Sequence, residues 1–197
     1  FDGSAETALT RVNLRPTAEI DGGAVQLEAV VEKLRARAYA ETDAAAVGAN
    51  ADADARAIVN SLSEVLLQAS SIIRGSQSVV LTTEYSETDN TSYASSDLDA
   101  VGGSTDIFSY AYLDTRAKIE ARDNSFIYTA DLDVSALQFN VVSSAGGFRS
   151  GAFIDGGDDY LDDSKNALRE IFWEATTVML GEANPELVVN KDGVITK

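Results

Sequence analysis

The sequence has no cysteine and no histidine, and only two prolines, one methionine and one tryptophan. Without cysteine there is no disulfide framework, no thiolate metal site and no thiol nucleophile. Without histidine there is no imidazole ligand and no Ser–His–Asp triad. Basic side chains are scarce too: 15 Lys and Arg face 32 Asp and Glu, for a net charge of −17 and a pI near 4.2. Phosphate binding needs a basic footprint, so nucleic acid is excluded as a partner, and an anionic membrane surface is excluded on the same grounds. No apolar run is long enough for a membrane span, so membrane insertion is not expected. The chain opens at Phe1 rather than Met and carries no signal peptide. We read it as a processed or excised piece whose export signal would lie elsewhere.

What is present suits a thin core. At 197 residues, the chain fits one domain or one stretch of a longer repetitive array. Hydrophobic residues make up 45% and aromatics only 8%, so a core is feasible but built largely of Ala and Val. Small and β-branched side chains suit layers that stack closely. The carboxylate surplus suits saline fluid, or one rich in divalent cations that screen or bridge it.

Three stretches share a pattern of alternating strand, polar or glycine turn, and alternating strand: 18–29 around Ile20 and Val25, 71–83 around Ile73 and Val79, and 117–129 around Ile119 and Ile127. The landmarks Ile20, Ile73 and Ile119 fall 53 and 46 residues apart, the loose period of a solenoid with variable loops. Between the first two copies, Ala36, Ala38 and Ala40, then Ala49, Ala51, Ala53, Ala55 and Ala57, alternate with polar residues such as Arg35, Arg37, Asp52, Asp54 and Arg56. On a strand this puts every alanine on one face. On a helix it makes no apolar face at all. A competing pattern exists: Ile58, Leu62, Val65, Leu66, Ala69, Ile72 and Ile73 sit at helical spacing ending near Gly75. An α+β alternative with a helical hairpin over 26–74, turning near Gly48, therefore stands beside the all-β reading.

Residues 77–145 are rich in Thr, Ser, Tyr, Val and Ile, with turn clusters at 86–90, 102–106 and 122–125. Leu132, Val134, Ala136 and Gln138 continue an alternating strand. Residues 169–180 fit strand or helix. Beyond Gly181 and Pro185, the chain reads as a strand, an Asp192-Gly193 turn and a strand. The fold class is thus all-β, a right-handed parallel β-helix with irregular loops. The single solenoid segment 1–197 divides into coil repeats at 1–145, an acidic Gly/Asp loop at 146–168, and a C-terminal strand–turn–strand unit at 169–197.

The succession through Ile20 and Ala29, the alternating alanines, Val79 and Leu81, Arg169-Glu-Ile-Phe-Trp-Glu-Ala175, and Gly181-Glu-Ala-Asn184-Pro185-Glu186-Leu187-Val-Val189 resembles segments of giant bacterial exoproteins. These are similar to filamentous haemagglutinin and leukotoxin-A-like adhesins. The resemblance covers about residues 10–197, and its most specific part is Asn184-Pro185-Glu186-Leu187. It implies a right-handed parallel β-helix in a secreted or surface-attached filament, associated with adhesion or surface architecture, and no catalytic residues. The aliphatic stretch from Val59 to Ile73 departs from that pattern, where more Thr and Asp would be expected.

Asp155, Asp158, Asp159, Asp162 and Asp163 form the richest acidic cluster. Hard oxygens at short spacing suit calcium, which takes about six to eight of them, although neither an EF-hand nor a complete glycine-rich calcium repeat is present. A solvated loop is the plainer reading. Paired carboxylates that cleave glycosides need two acids across a groove with separated pKa values, and a −17 chain offers many accidental pairs. Phe108, Tyr110 and Tyr112 alternate along a strand; packing inside the coil or at its edge is preferred over an exposed ligand-binding stripe. Phe172 and Trp173 read as packing at a cap or junction. The pairs Gly146-Gly147 and Gly156-Gly157 lack the strand-then-helix context of phosphate loops and read as turn glycines.

These readings converge on a structural or adhesive segment of a secreted or cell-surface filament, not an enzyme. The expected partners are further copies end to end or adjoining segments of a parent protein, and surface glycans. The alternative is a calcium-dependent glycan- or surface-binding module, and behind it a carbohydrate-active β-helix enzyme.

Overall fold

The computed structural model describes residues 7–99, 101–150, 157–180, 187–189 and 195–196. Among them there is no helix. The strands are β1 (Ala8–Leu14), β2 (Glu19–Val31), β3 (Leu34–Ala44), β4 (Ala49–Leu67), β5 (Ile72–Tyr85), β6 (Thr88–Leu98), β7 (Gly103–Ala121), β8 (Phe126–Gln138), β9 (Val141–Ser150), β10 (Asp159–Trp173), β11 (Thr176–Leu180), β12 (Leu187–Val189) and β13 (Ile195–Thr196). Three sheets form. The first has the order β1-β4-β7-β10, the second β13-β12-β11-β8-β5-β2, and the third β3-β6-β9. Through β11 every hydrogen-bonded neighbour lies three strands away and runs parallel. The protein is all-β with parallel sheets, and this strand succession is that of a parallel β-helix. The helical hairpin over 26–74 is replaced by strands.

The register explains the repeat and corrects its third landmark. Ile20 pairs with Ile73, 53 residues on, and Ile73 pairs with Ile127, 54 on. Ile119 belongs to the first sheet, opposite Val65. The turns read at Gly22 and Gly75 are β-bulges within continuous strands, and β5 holds one residue more than either neighbour. A bulge bends a strand without ending it. The true corners between the first and second sheets carry Thr17, Ser70 and Asn124, each at φ 60°. In each corner an N–H closes a turn onto the carbonyl three residues back: Ala18 on Arg15, Ser71 on Gln68, and Ser125 on Arg122, all at 3.1 Å.

The alternating alanines face inward. Ala51, Ala53, Ala55 and Ala57 are 1–4% exposed, whereas Asp52, Asp54 and Arg56 lie at the surface. Ala53 and Ala55 pack in one cluster with Ala38, Ala40 and Ala94 of the third sheet. Across this narrow interface Ser92 Oγ donates to the Ala55 carbonyl at 2.7 Å, and Ser96 Oγ donates to the Ala51 carbonyl at 2.7 Å. A carbonyl already in the sheet ladder keeps a second lone pair, and a short serine reaches it. The second half of β4 turns to a larger aliphatic core of Val65, Leu67, Ile73, Leu81, Ile119 and Ile127, among others. Of the apparent helical stripe, Val65 and Ile73 turn into this core and Ile58 and Leu62 turn outward, while Leu66 is buried without joining it.

The span 146–168 is not one loop. Residues 146–150 finish β9 and 159–168 belong to β10. Gly147 lies in the ladder opposite Ala94, where a Cβ would stand 2.6 Å from Ile107 Cδ1, so this position pairs as a strand only without a side chain. Residues 169–173 likewise extend β10 in the coil, and the closing unit is the antiparallel β11, β12 and β13.

Candidate functional site

β7 alternates two residue sets. Ile107, Ser109, Ala111 and Leu113 are buried, so Phe108, Tyr110 and Tyr112 project from the outer face, half-buried. The aromatic run is therefore an external stripe, not a core ladder. The reason is space: the inner side of this half of β7 meets the alanine–serine interface, which has no room for rings.

Parallel register extends the stripe. Tyr160 of β10 pairs with Phe108, and their rings stack at 4.7 Å and 7°. Along β7 the ring centroids are 6.4 Å apart from Phe108 to Tyr110 and 6.5 Å from Tyr110 to Tyr112. The Arg56 guanidinium lies 4.8 Å from the Phe108 centroid, a cation–π contact. Asp54 holds it in place through two bonds of 2.9 and 2.7 Å. The Tyr160 hydroxyl donates to Asp162 at 3.2 Å, and the Asp162 charge, with that contact, raises the phenol's pKa above the usual tyrosine value.

Beyond Tyr112 the stripe opens into a groove of about 440 Å³ lined by Thr7, Asn60, Leu62, Asp114 and Arg116. Asp114 accepts from Arg116 and from Asn166, both at 3.4 Å. The first sheet thus presents aromatic faces followed by planar polar groups.

Of the acidic cluster, Asp155 lies outside the described residues. Asp159 and Asp163 sit in register with the inward Ile107 and Ala111, while Asp162 sits opposite the outward Tyr110. Asp159 pairs with Arg149 at 2.9 Å. The Asp158 backbone N–H donates to Asp106 Oδ1 at 2.7 Å, and Asp106 pairs in register with Asp52. Asp106 escaped the sequence reading because only register brings it beside Asp158, with Asp52 one strand further on. Among the described residues, no group of three or more acidic side chains is placed to hold a metal ion. Trp173 packs on the larger core, whereas Phe172 is 43% exposed on the outside. Gly146 and Gly147 are strand residues rather than turn glycines. Gly157 falls between strands, and Gly156 lies outside the described residues.

The fold defines a class, an all-β protein of parallel three-sheet rungs. Beyond class, no family model, curated protein or solved structure matches the chain.

Proposed function

We propose that this chain is a structural and adhesive section of a secreted or cell-surface filament. The observation carrying this reading is the rung register, repeating at 51–54 residues through all three parallel sheets. Such ladders grow by stacking, because each rung hydrogen-bonds only its neighbours. The first rung supports the same reading. Among the described residues, β2 and β3 each have one strand neighbour, and β1 covers only residues 61–67 of β4. The rest of that edge offers a row of backbone donors and acceptors to another strand.

A second copy or an adjoining segment of the parent chain would complete that edge. At the opposite end the second sheet finishes in the antiparallel pair β12 and β13, which breaks the parallel ladder. Further addition there falls to β10 and β9, the last strands of the first and third sheets among the described residues. Light scattering across a concentration series, with negative-stain imaging, tests the reading. Rods that lengthen with concentration are expected. Compact monomers at every concentration would overturn self-association.

A further inference from the structure

We propose that the outer face of the first sheet is a binding surface for a neutral polysaccharide, running from Tyr160 and Phe108 through Tyr110 and Tyr112 into the groove at Asn60, Asp114 and Arg116. This rests on the adhesive reading and names the ligand class.

Three observations carry it. First, four outward aromatic rings form a continuous row across two rungs, with successive centroids at 4.7, 6.4 and 6.5 Å. Phe108 is already engaged by Tyr160 and Arg56, so Tyr110 and Tyr112 are the rings left to meet the slightly positive C–H faces of a pyranose. Second, the row leads into a groove whose planar carboxylate, amide and guanidinium groups suit adjacent sugar hydroxyls, which both donate and accept. Third, charge restricts the ligand. The molecule carries −17 overall, which repels nucleic acid and acidic glycans. On the stripe itself each carboxylate is already engaged: Asp54 by Arg56, Asp114 by Arg116, and Asp162 by the Tyr160 hydroxyl. A cationic ligand would have to displace those partners, whereas an uncharged one need not.

The test is affinity electrophoresis of the full chain in native gels containing hydroxyethylcellulose, galactomannan, xylan or mixed-linkage β-glucan, with alginate as the anionic polymer. Retardation by at least one neutral polymer is expected. It should weaken at least fivefold in the double variant Tyr110→Ala, Tyr112→Ala, with the circular dichroism spectrum retained. A second pair, Asp114→Ala with Arg116→Ala, alters the groove alone and should also weaken retardation if the aromatic variant fails to fold. Retardation by no polymer, retardation by alginate alone, or equal retardation of the folded variants would overturn the proposal. Imaging the same samples separates the two readings. Rods without retardation sink the glycan surface and leave the filament standing; retardation without rods does the reverse.

Discussion

Thr83 is wholly buried between Ala29 and Ala136 in the ladder, and its hydroxyl has no hydrogen-bond partner among the described residues. A buried unpaired polar group costs about 1–3 kcal/mol. Thr83→Val keeps the shape and removes the hydroxyl, so the variant should melt higher than the parent in a thermal scan; a lower melting temperature would show that the hydroxyl is satisfied. Tyr85 is the contrasting case. It too is wholly buried, but its hydroxyl donates to Ser61 Oγ at 2.9 Å. Burial pushes its pKa above the ordinary 10.0, with the Ser61 contact opposing. The folded state thus holds the phenol proton more tightly than the unfolded chain. Its contribution is complete below about pH 10 and is lost as pH climbs through the raised folded value. Tyr85→Phe should therefore flatten the alkaline limb of the stability–pH curve measured by denaturant unfolding. The corner residues Thr17 and Ser70 occupy left-handed backbone that suits the Asn124 found at the third corner. Threonine and serine do not advertise that conformation, which is why only the 122–125 corner is legible in the sequence.

At the scale of elements, the alanine strand of β4 sets how closely the first and third sheets approach. Ala55 is 3% exposed, and its carbonyl takes the Ser92 hydroxyl at 2.7 Å. Ala55→Leu adds three carbons where the facing residues are alanine and serine. Overpacking of this kind costs about 1–3 kcal/mol. The same replacement at exposed Asp52, one residue from the inward face, should stay within about 0.5 kcal/mol. Equal losses at the two sites in urea unfolding would contradict the assigned parity. Strand direction also decides the fate of the aromatics. Alternation shows that Phe108, Tyr110 and Tyr112 share a face, but Ile107, Ser109, Ala111 and Leu113 could equally have filled a core from the other parity. Which set turns inward depends on the residues opposite. These arrive from β6 and β9 of the third sheet, through contacts such as Ser109 to Ser92 that the β7 sequence does not itself contain.

Across the whole molecule, charge is arranged in columns perpendicular to the strands. Arg11, Glu64 and Lys118 follow one another in register, with Arg11 bonded to Glu64 at 2.6 Å and Lys118 at 3.7 Å from it. Burial alone would raise the Glu120 pKa, but hydrogen bonds from Lys118 and Arg122 bring it below the usual carboxylate value. That contribution is present above about pH 4.5 and fades as pH falls through the lowered folded value. The Lys33, Arg35 and Arg37 row reaches Glu87 and Asp89 one rung on in the same manner. Such pairs help fix register, yet exposed ones contribute little to stability. Self-repulsion from a charge of −17 is the larger effect. Raising sodium chloride from about 0.01 to 0.5 M contracts the Debye length from about 30 Å to a few ångström. The melting temperature should therefore rise. A fall would mean that the ion columns outweigh the repulsion.

Alternation and turn chemistry are local properties. The amino-acid order alone was therefore enough for the all-β class, the inward alanines, the 53-residue first interval and the two closing strands β12 and β13, whose Asp192-Gly193 turn lies outside the described residues. It took the folded chain to show that Ile127 and not Ile119 continues the Ile20 column, that Gly22 and Gly75 bend strands instead of ending them, and that the aromatics lie on the outer face. The first two depend on the next rung, 53 or 54 residues away, and the third on the facing sheet, and no local pattern encodes either neighbour.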